Sequence, residues 1–230
     1  MTDAPDPKWP RLLSLSVHEF RTPITVVAGY IRMLLKDRAG PLSDRQRRML
    51  EEAEKSCNRL SGLVAEMSDL AHLEAGSTVL NRSTVDLSAV LNEAIASLPE
   101  LPDRDVRVEL STNGSGAPIS GDPVRLKCAF ASVIAALRRE LVASDTLYVR
   151  RLTREADGRP VSWTALGDAD HIDALERAEP ASLQAFDEWR GGCGLSLAIA
   201  RRIISAHDGR VWSAGDQSKA AAVVMVPHAA

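Results

Sequence analysis

The sequence predicts an α+β protein in which an N-terminal helical hairpin precedes a two-layer α/β sandwich. Two long early segments have apolar residues at helical spacing, and the helix-breaking pair Gly40-Pro41 separates them. From about residue 84 onwards, short segments typical of strands alternate with helical ones. This change of pattern predicts a tail at residues 1–9, a hairpin at 10–78 and a sandwich at 79–230.

Composition excludes several classes of protein. With 45% hydrophobic residues, 26% charged residues and a net charge of -3, the 230-residue chain resembles neither a disordered nor a nucleic-acid-binding protein. It has no apolar run of membrane-spanning length and no signal-peptide pattern at its start, so we expect a cytoplasmic protein without a membrane partner. Cys57, Cys128 and Cys193 have neither disulfide nor zinc spacing and are interpreted as free thiols.

The first helix is predicted from Pro10 to Arg38 and the second from a cap at Ser43 or Asp44 to Ala75. Each has a continuous apolar stripe that two helices cannot bury alone, which predicts pairing with a second copy into a dimeric four-helix bundle. The alternative is a hairpin packed on its own second domain. The stripes are Leu13, Val17, Phe20, Ile24, Val27, Ile31 and Leu34, and then Met49, Ala53, Ser56, Leu60, Leu63, Met67 and Leu70.

The second part is predicted as a sequence of short strands and helices. Its long helix, Asp122 to Leu141, has a regular buried stripe. A β-hairpin is expected across Asp157-Gly158. The other elements are strands at Thr84-Val85, Val106-Leu110, Thr146-Leu152, Pro160-Ala165, Arg210-Ser213 and Ala221-Val226, helices at Asp86-Leu98 and after Gly194, and a loop from Ser111 to Gly121.

A phosphorylatable histidine is the strongest candidate for chemistry. His18 lies about 100° from Val17 around the first helix, at the edge of its apolar stripe. Its imidazole is a candidate nucleophile, Glu19 a candidate proton acceptor, and Thr22, one turn later, a candidate for orienting water. Pro23 removes a backbone hydrogen bond near this turn. The alternative is an ordinary half-buried helix histidine.

The run from His18 to Pro23 closely resembles the H-box of two-component sensor histidine kinases, and the resemblance covers residues 11 to 226. It implies a homodimer, a histidine-kinase ATPase-type second domain and a response-regulator receiver domain as partner. Further motifs follow in the order typical of that family: Gly40-Pro41-Leu42-Ser43, Leu73-Glu74-Ala75-Gly76, Gly121-Asp122-Pro123 and Gly192-Cys193-Gly194-Leu195.

The second domain departs from the family pattern at the nucleotide contacts. The family's magnesium-binding asparagine falls at Ala136, and Ser132 replaces a second asparagine. The aspartate that binds adenine falls at Ala165, and substitution by Asp168 or Asp170 requires a shifted strand register.

The glycines of the phosphate loop are retained. Gly192 and Gly194 are interpreted as a vestigial cofactor-binding loop, although Ser196 replaces a further glycine. Glycines that merely let a loop enter a helix explain this pattern equally well. No metal site is predicted, because His72, His171, His207 and His228 lack ligand spacing.

Two groups of side chains are assigned no function. Three tryptophans are interpreted as packing residues: Trp163, Trp189 and Trp212. Five arginines are interpreted as one solvated basic face: Arg138, Arg139, Arg150, Arg151 and Arg154.

Three functions remain open. The favoured hypothesis is a phosphorelay histidine phosphotransferase, with catalytic residues His18, Glu19 and Thr22 and no bound cofactor. Its phosphodonor is a receiver domain or an upstream kinase. The second hypothesis is an autokinase that uses ATP and Mg²⁺ through atypical contacts. The third is a non-catalytic scaffold that binds response regulators.

Overall fold

A computed structural model describes residues 8–102, 104–113, 118–142, 144–156, 158–189, 192–215 and 220–229. The chain divides into two compact units between Thr78 and Val79. The first unit contains two long helices, and the second combines mixed sheet and helices, which confirms the predicted fold class. None of the described helices has the length and apolar character needed to cross a lipid bilayer.

The first unit is a hairpin of helix α1, Trp9–Leu35, and helix α2, Asp44–Glu74. One contact between the helices is a cluster of Ala28, Ile31, Cys57, Leu35, Leu50 and Ala53. In the single chain, α2 covers only part of the predicted α1 stripe, and Phe20 and Val27 are 52% and 48% exposed. A single partner helix covers one narrow strip of α1, and these two residues lie outside it.

The ends of the hairpin helices are set by local hydrogen bonds. Helix α1 stops at Leu35, earlier than predicted, because Asp37 adopts a left-handed conformation with φ 55°. The amides of Asp37 and Arg38 then donate to the carbonyls of Leu34 and Met33 at 2.9 and 3.2 Å. At the start of α2, Ser43 and Gln46 form a capping box, so the predicted cap is confirmed.

The second unit contains a six-stranded sheet in the order β2-β4-β5-β8-β7-β6 and a separate pair, β1-β3. Strands β2 and β4 are parallel, and the other neighbours are antiparallel. The strands are β1 Ser83–Val85, β2 Arg107–Asn113, β3 Ile119–Gly121, β4 Thr146–Ala156, β5 Arg159–Gly167, β6 Gln184–Ala185, β7 Arg210–Ser213 and β8 Ala222–Pro227.

The helices of this unit are α3 Leu87–Ala96, α4 Pro123–Glu140, α5 Ile172–Arg177 and α6 Ser196–Ala206, with a 3₁₀ turn at Pro180–Ser182. Helices α3, α4 and α6 pack together in one layer, and the short helix α5 lies against the other face of the sheet. Trp163 and Ala165 of β5 face α5. Because side chains alternate along a strand, Thr164 and Leu166 face the opposite layer, where α4 and α6 pack.

The long helix α4 matches its prediction closely. The seven residues of its predicted stripe, from Leu126 to Leu141, are at most 1% exposed. Asp122 caps the helix by accepting from the amide of Arg125 at 3.1 Å.

Other elements differ from the prediction. Strands β2 and β3 extend into the expected loop Ser111 to Gly121, of which residues 114–117 lie outside the described residues. At the β4–β5 turn, Asp157 also lies outside them. Helix α5, the 3₁₀ turn and strand β6 were not predicted, because six, three and two residues are too short to show a periodic pattern.

Candidate functional site

His18 lies on the surface of α1, directly after Val17, which is 3% exposed. Glu19 and Thr22 are exposed on the same helix. Within the described part of the chain, none of the three side chains forms a hydrogen bond or ion pair. The arrangement therefore leaves an imidazole, a carboxylate and a hydroxyl accessible to another protein.

The helix around His18 is continuous despite Pro23, which lies inside it. A proline has no amide hydrogen, so residue 23 cannot donate to the carbonyl of Glu19, four residues earlier. On either side of His18, the hydroxyls of Ser16 and Thr25 donate to the carbonyls of Leu12 and Arg21 at 2.9 and 2.8 Å. His18 is therefore held on a regular helix with one weakened backbone link beside it.

The hairpin also exposes a large amount of apolar surface. Two residues of the predicted α2 stripe, Met49 and Leu60, are 65% and 48% exposed. Apolar exposure on this scale is typical of an interaction surface. The exposed large apolar residues of α1 are Trp9, Leu12, Leu15, Phe20, Val26, Val27, Tyr30 and Met33.

The two retained glycines both have backbone conformations that favour glycine, with φ 80° at Gly192 and φ 58° at Gly194. Arg139, near the end of α4, donates to the carbonyl of Gly192 at 2.7 Å. The Ser196 hydroxyl donates to the carbonyl of Cys193 at 2.6 Å. The two glycines thus form the turn through which the loop enters α6.

The end of β5 is buried on both faces and apolar on the face of Ala165. Ala165 is fully buried in a cluster with Trp163, Ile172, Leu175, Ala221 and Val223. Its neighbours Thr164 and Leu166 are also fully buried, facing the opposite layer. The last four residues of the strand therefore carry no carboxylate.

Neither proposed substitute for the missing acid lies in the strand. Asp168 accepts from the amide of His171 at 3.1 Å and contacts the ring Nδ1 of the same residue at 2.5 Å. Asp170 is exposed in the turn that leads to α5. Both therefore belong to the turn that follows the strand.

Ala136 is 3% exposed on α4, and its methyl group offers no oxygen to a cation. Helix α4 packs on the face of the sheet opposite Ala165, so the structure does not bring Ala136 and Ala165 together. A cavity of about 450 Å³ beside α5 includes residues of neither α4 nor the glycine loop in its wall. The residues present thus do not supply the two nucleotide contacts that the resemblance implies.

The arginines do not form one solvated face, so that prediction was wrong. Arg150 pairs with Asp173 and Glu176, while Arg151 is only 1% exposed. The reason is strand alternation, since neighbouring residues of β4 point to opposite faces. The period-two pattern of β4 was the signal that separates them. Of the three tryptophans interpreted as packing residues, Trp189 is 80% exposed, which also contradicts the prediction.

One of the histidines without metal-ligand spacing has a structural role. His207 is 2% exposed, its Nε2 accepts from the amide of Asp122 at 2.9 Å, and its Nδ1 lies 2.7 Å from the carbonyl of Ile203. Burial lowers the pKa of His207, which keeps the ring neutral. Among the residues described, no group of three or more acidic, histidine or cysteine side chains is arranged to hold a metal ion.

Comparison with known proteins identifies the first unit. Residues 11–76 match the family of His Kinase A (phospho-acceptor) domains. This segment is therefore a phospho-acceptor domain of histidine kinases, and the chain as a whole is similar to sensor histidine kinases. Its recognition from the H-box motif is thereby confirmed.

Similarity to individual sensor histidine kinases extends over both units. The chain is 26% identical to the circadian input-output histidine kinase CikA of Synechococcus elongatus, over 86% of this chain and 27% of that protein. It is 29% identical to the sensor-like histidine kinase SenX3 of Mycobacterium bovis, over 85% of this chain and 48% of that protein. The chain thus spans less than half the length of these relatives.

Two solved structures of histidine kinases share the fold. One is full-length ShkA, crystallised in complex with AMPPNP, with a TM-score of 0.66 and 23% identity over 96% of this chain and 47% of that chain. The other is AdeS of Acinetobacter baumannii, with a TM-score of 0.54 and 19% identity over 92% of this chain and 97% of that chain. At these identities the similarity concerns the fold alone.

Proposed function

We propose that this chain is a histidine phosphotransferase that moves a phosphoryl group between His18 and an aspartate of a response-regulator receiver domain. The observation that carries the proposal is the exposed trio of His18, Glu19 and Thr22 on a continuous helix. Such a reaction between two proteins requires an accessible nucleophile on a rigid element and no bound cofactor.

In the proposed transfer, a ring nitrogen of His18 attacks the phosphorus of the receiver's aspartyl phosphate. The new N–P bond forms as the P–O bond to the aspartate breaks, and the carboxylate leaves with the bonding electrons. Glu19 accepts the proton released from the imidazole. Thr22, one turn further along α1, orients water when phosphate is hydrolysed from the bound receiver.

We further propose that the second unit does not bind ATP. The family's nucleotide site needs a magnesium-binding oxygen and an adenine-binding carboxylate, and alanines occupy both positions. Ala165 also belongs to a cluster of apolar side chains, which offers a polar ligand group no hydrogen-bonding side chain in place of the missing carboxylate. The phosphodonor is then a phosphorylated receiver domain or an upstream kinase.

The exposed apolar residues support a homodimer. Met49 and Leu60 of α2 lie on the stripe that predicts a four-helix bundle, and they are exposed in a single chain. A second copy of the hairpin has a matching apolar stripe, so pairing buries both.

A second candidate function, an ATP-dependent autokinase, is favoured by the glycine loop. Gly192 and Gly194 keep positive φ angles before α6, and Arg139 holds the carbonyl of Gly192. The fold is also shared with ShkA, whose structure contains AMPPNP. An autokinase with this chain's residues would have to bind the nucleotide mainly through its phosphates.

One experiment separates the two functions. The purified full chain is incubated either with labelled ATP and Mg²⁺ or with receiver domains labelled on aspartate, and label on the chain is measured. We expect label from a receiver and none from ATP. The variant His18→Ala should lose the label that is transferred from the receiver. The variant His72→Ala, which changes another exposed histidine, is the control and should keep this label. Robust labelling of His18 by ATP alone would overturn the phosphotransferase proposal in favour of the autokinase.

A further inference from the structure

Arg151 lies in the middle of the sheet and is almost completely enclosed, with 1% exposure. Its position on β4 faces the layer of α4 and α6, and its partner across the sheet is Thr164 of β5. Both residues are therefore inside the second unit, where polar groups need partners because water does not reach them.

The guanidinium of Arg151 is only partly satisfied. Its Nη1 lies 3.4 Å from the Ser162 hydroxyl, and that hydroxyl lies 3.0 Å from Nε2 of His228. Its Nε and Nη2 atoms are buried and have no hydrogen-bond partner, and the same is true of the Thr164 hydroxyl. Among the described residues, no carboxylate forms an ion pair with Arg151.

A guanidinium does not escape this situation by losing its proton, since it remains charged at any physiological pH. An uncompensated charge in the interior is strongly unfavourable, so a counter-charge is required. Nε and Nη2 lie on the same edge of the group, and their N–H bonds point in parallel. This edge is the fork that binds a carboxylate or another small anion through two hydrogen bonds.

A second buried arginine shows that the fold satisfies such groups elsewhere. Arg138 is 8% exposed, and its Nε and Nη1 donate to the carbonyls of Val106 and Pro99, each at 3.1 Å. The charge of Arg151, in contrast, acts on its surroundings, because it adds to burial in lowering the pKa of His228. The two arginines differ in having or lacking acceptors.

We propose that the parallel N–H groups of Arg151 and the hydroxyl of Thr164 bind a small monovalent anion inside the second unit. The chemistry suits a halide or a carboxylate of the size of formate, which accepts two N–H bonds and one O–H bond. Ser162 and His228 hold the guanidinium in place from its other side. The anion stabilises the fold of this unit and takes no part in phosphoryl transfer.

The first test is thermal unfolding of the full chain, followed by tryptophan fluorescence at constant ionic strength. Sodium gluconate, whose anion is too large for the site, is replaced stepwise by sodium bromide or sodium formate. At an anion concentration of about one hundred times the dissociation constant, binding raises the Tm of a unit of this size by roughly 5 to 10 °C. We expect this rise with bromide, with formate or with both, which also identifies the preferred anion.

Two variants make the test specific. Arg151→Met keeps the length of the side chain without its charge, and its Tm is expected to be independent of the anion. Arg150→Met removes a charge from the next residue of the same strand, and is expected to keep the full anion response. An equal Tm in all three salts, or the same response in Arg151→Met as in the unchanged chain, would overturn the proposal.

A direct observation covers the case in which Arg151→Met does not fold. Crystals of the unchanged chain grown in bromide are measured at the bromine absorption edge. An anomalous peak within hydrogen-bond distance of Nε and Nη2 of Arg151 supports the site. Density for water alone at that position, with no anomalous peak, shows that solvent satisfies the guanidinium and that the proposal is wrong.

Discussion

The surface around His18 and the end of strand β5 are the two places where histidine-kinase chemistry is expected, and they have opposite surroundings. At the first, three polar side chains stand exposed on one helix and have no partners within the described residues. At the second, Ala165 is packed with five other buried apolar residues: Trp163 of β5, Ile172 and Leu175 of α5, and Ala221 and Val223 at the start of β8.

This difference shows which kind of chemistry tolerates sequence change. A nucleophile used by another protein depends on a few neighbouring residues of one helix, so it is retained as long as that helix folds. A nucleotide site depends on polar groups from several elements that converge, and the replacement of any one by an apolar residue lets the core close over the gap.

The largest expected effect concerns the exposed surface of the helical hairpin that carries His18. Leu60→Glu combined with Leu63→Glu places two charges on the proposed bundle seam and removes about 3 to 6 kcal/mol of apolar burial. We expect the dimer to dissociate, as measured by sedimentation equilibrium. Asn58→Glu, which adds a charge at an exposed position of α2, is the control. A chain that is already monomeric before the change contradicts the bundle.

The next largest effect concerns the buried end of strand β5. Ala165→Asp restores the acid that the family carries, yet it buries a carboxylate among apolar groups. We expect a loss of about 3 to 5 kcal/mol in the free energy of unfolding and no gain in ATP binding. Urea unfolding measures the change in the free energy of unfolding, and calorimetry measures ATP binding. Ala169→Asp, in the exposed turn after β5, should change stability by less than about 0.5 kcal/mol. Micromolar ATP binding by Ala165→Asp would show that the site is open.

A smaller effect separates the roles within the exposed trio. Glu19→Ala should slow transfer through His18 by about 100-fold or more, because it removes the proton acceptor. Thr22→Ala should leave loading of His18 nearly unchanged and slow the loss of phosphate from the bound receiver. Rapid-quench measurement of both steps distinguishes them. If the two variants affect both steps equally, the assigned roles are wrong.

The smallest effect is a dependence of stability on pH in the second unit. The folded pKa of His207 lies below its usual 6.5, so the unfolded chain takes up a proton first as the pH falls. Stability from this group is therefore complete above about pH 6.5 and decreases below it, by at most about 1.4 kcal/mol per pH unit. Burial lowers the pKa of His228 as well, which adds a contribution of the same sign.

Urea unfolding between pH 5 and pH 8 measures this slope. His207→Gln should reduce this slope by the amount that corresponds to the uptake of at most one proton on unfolding. His72→Gln, at an exposed position near the end of α2, should leave the slope unchanged. A slope that is identical in all three proteins would show that His207 is not linked to folding.

Local patterns were sufficient to predict much of this fold. The stripe of α4 and the cap of α2 depend on residues within a few positions of one another; the stripe was predicted, and of the two predicted caps, Ser43 and Asp44, Ser43 forms the cap. Which residues of the α1 stripe pack against α2 could not be predicted, because Phe20 and Val27 have the same spacing as the buried residues. Only the position of the partner helix distinguishes them.

The candidate site shows the same division. The placement of His18 at the edge of a helical stripe follows from periodicity, and the structure has it exposed beside buried Val17. The separation of Ala136 from Ala165 and the enclosure of Arg151 depend on which face of the sheet each strand residue takes. That choice is made by the register of distant strands, which one sequence does not reveal.

The order of the strands has a further consequence for solubility in the cell. One end of the sheet is β2, whose exposed positions include Arg107 and Glu109, and the other end is β6, which is only two residues long. Charged or very short edge strands are poor templates for intermolecular β-pairing. The second unit is therefore protected against amyloid-like growth through its sheet edges.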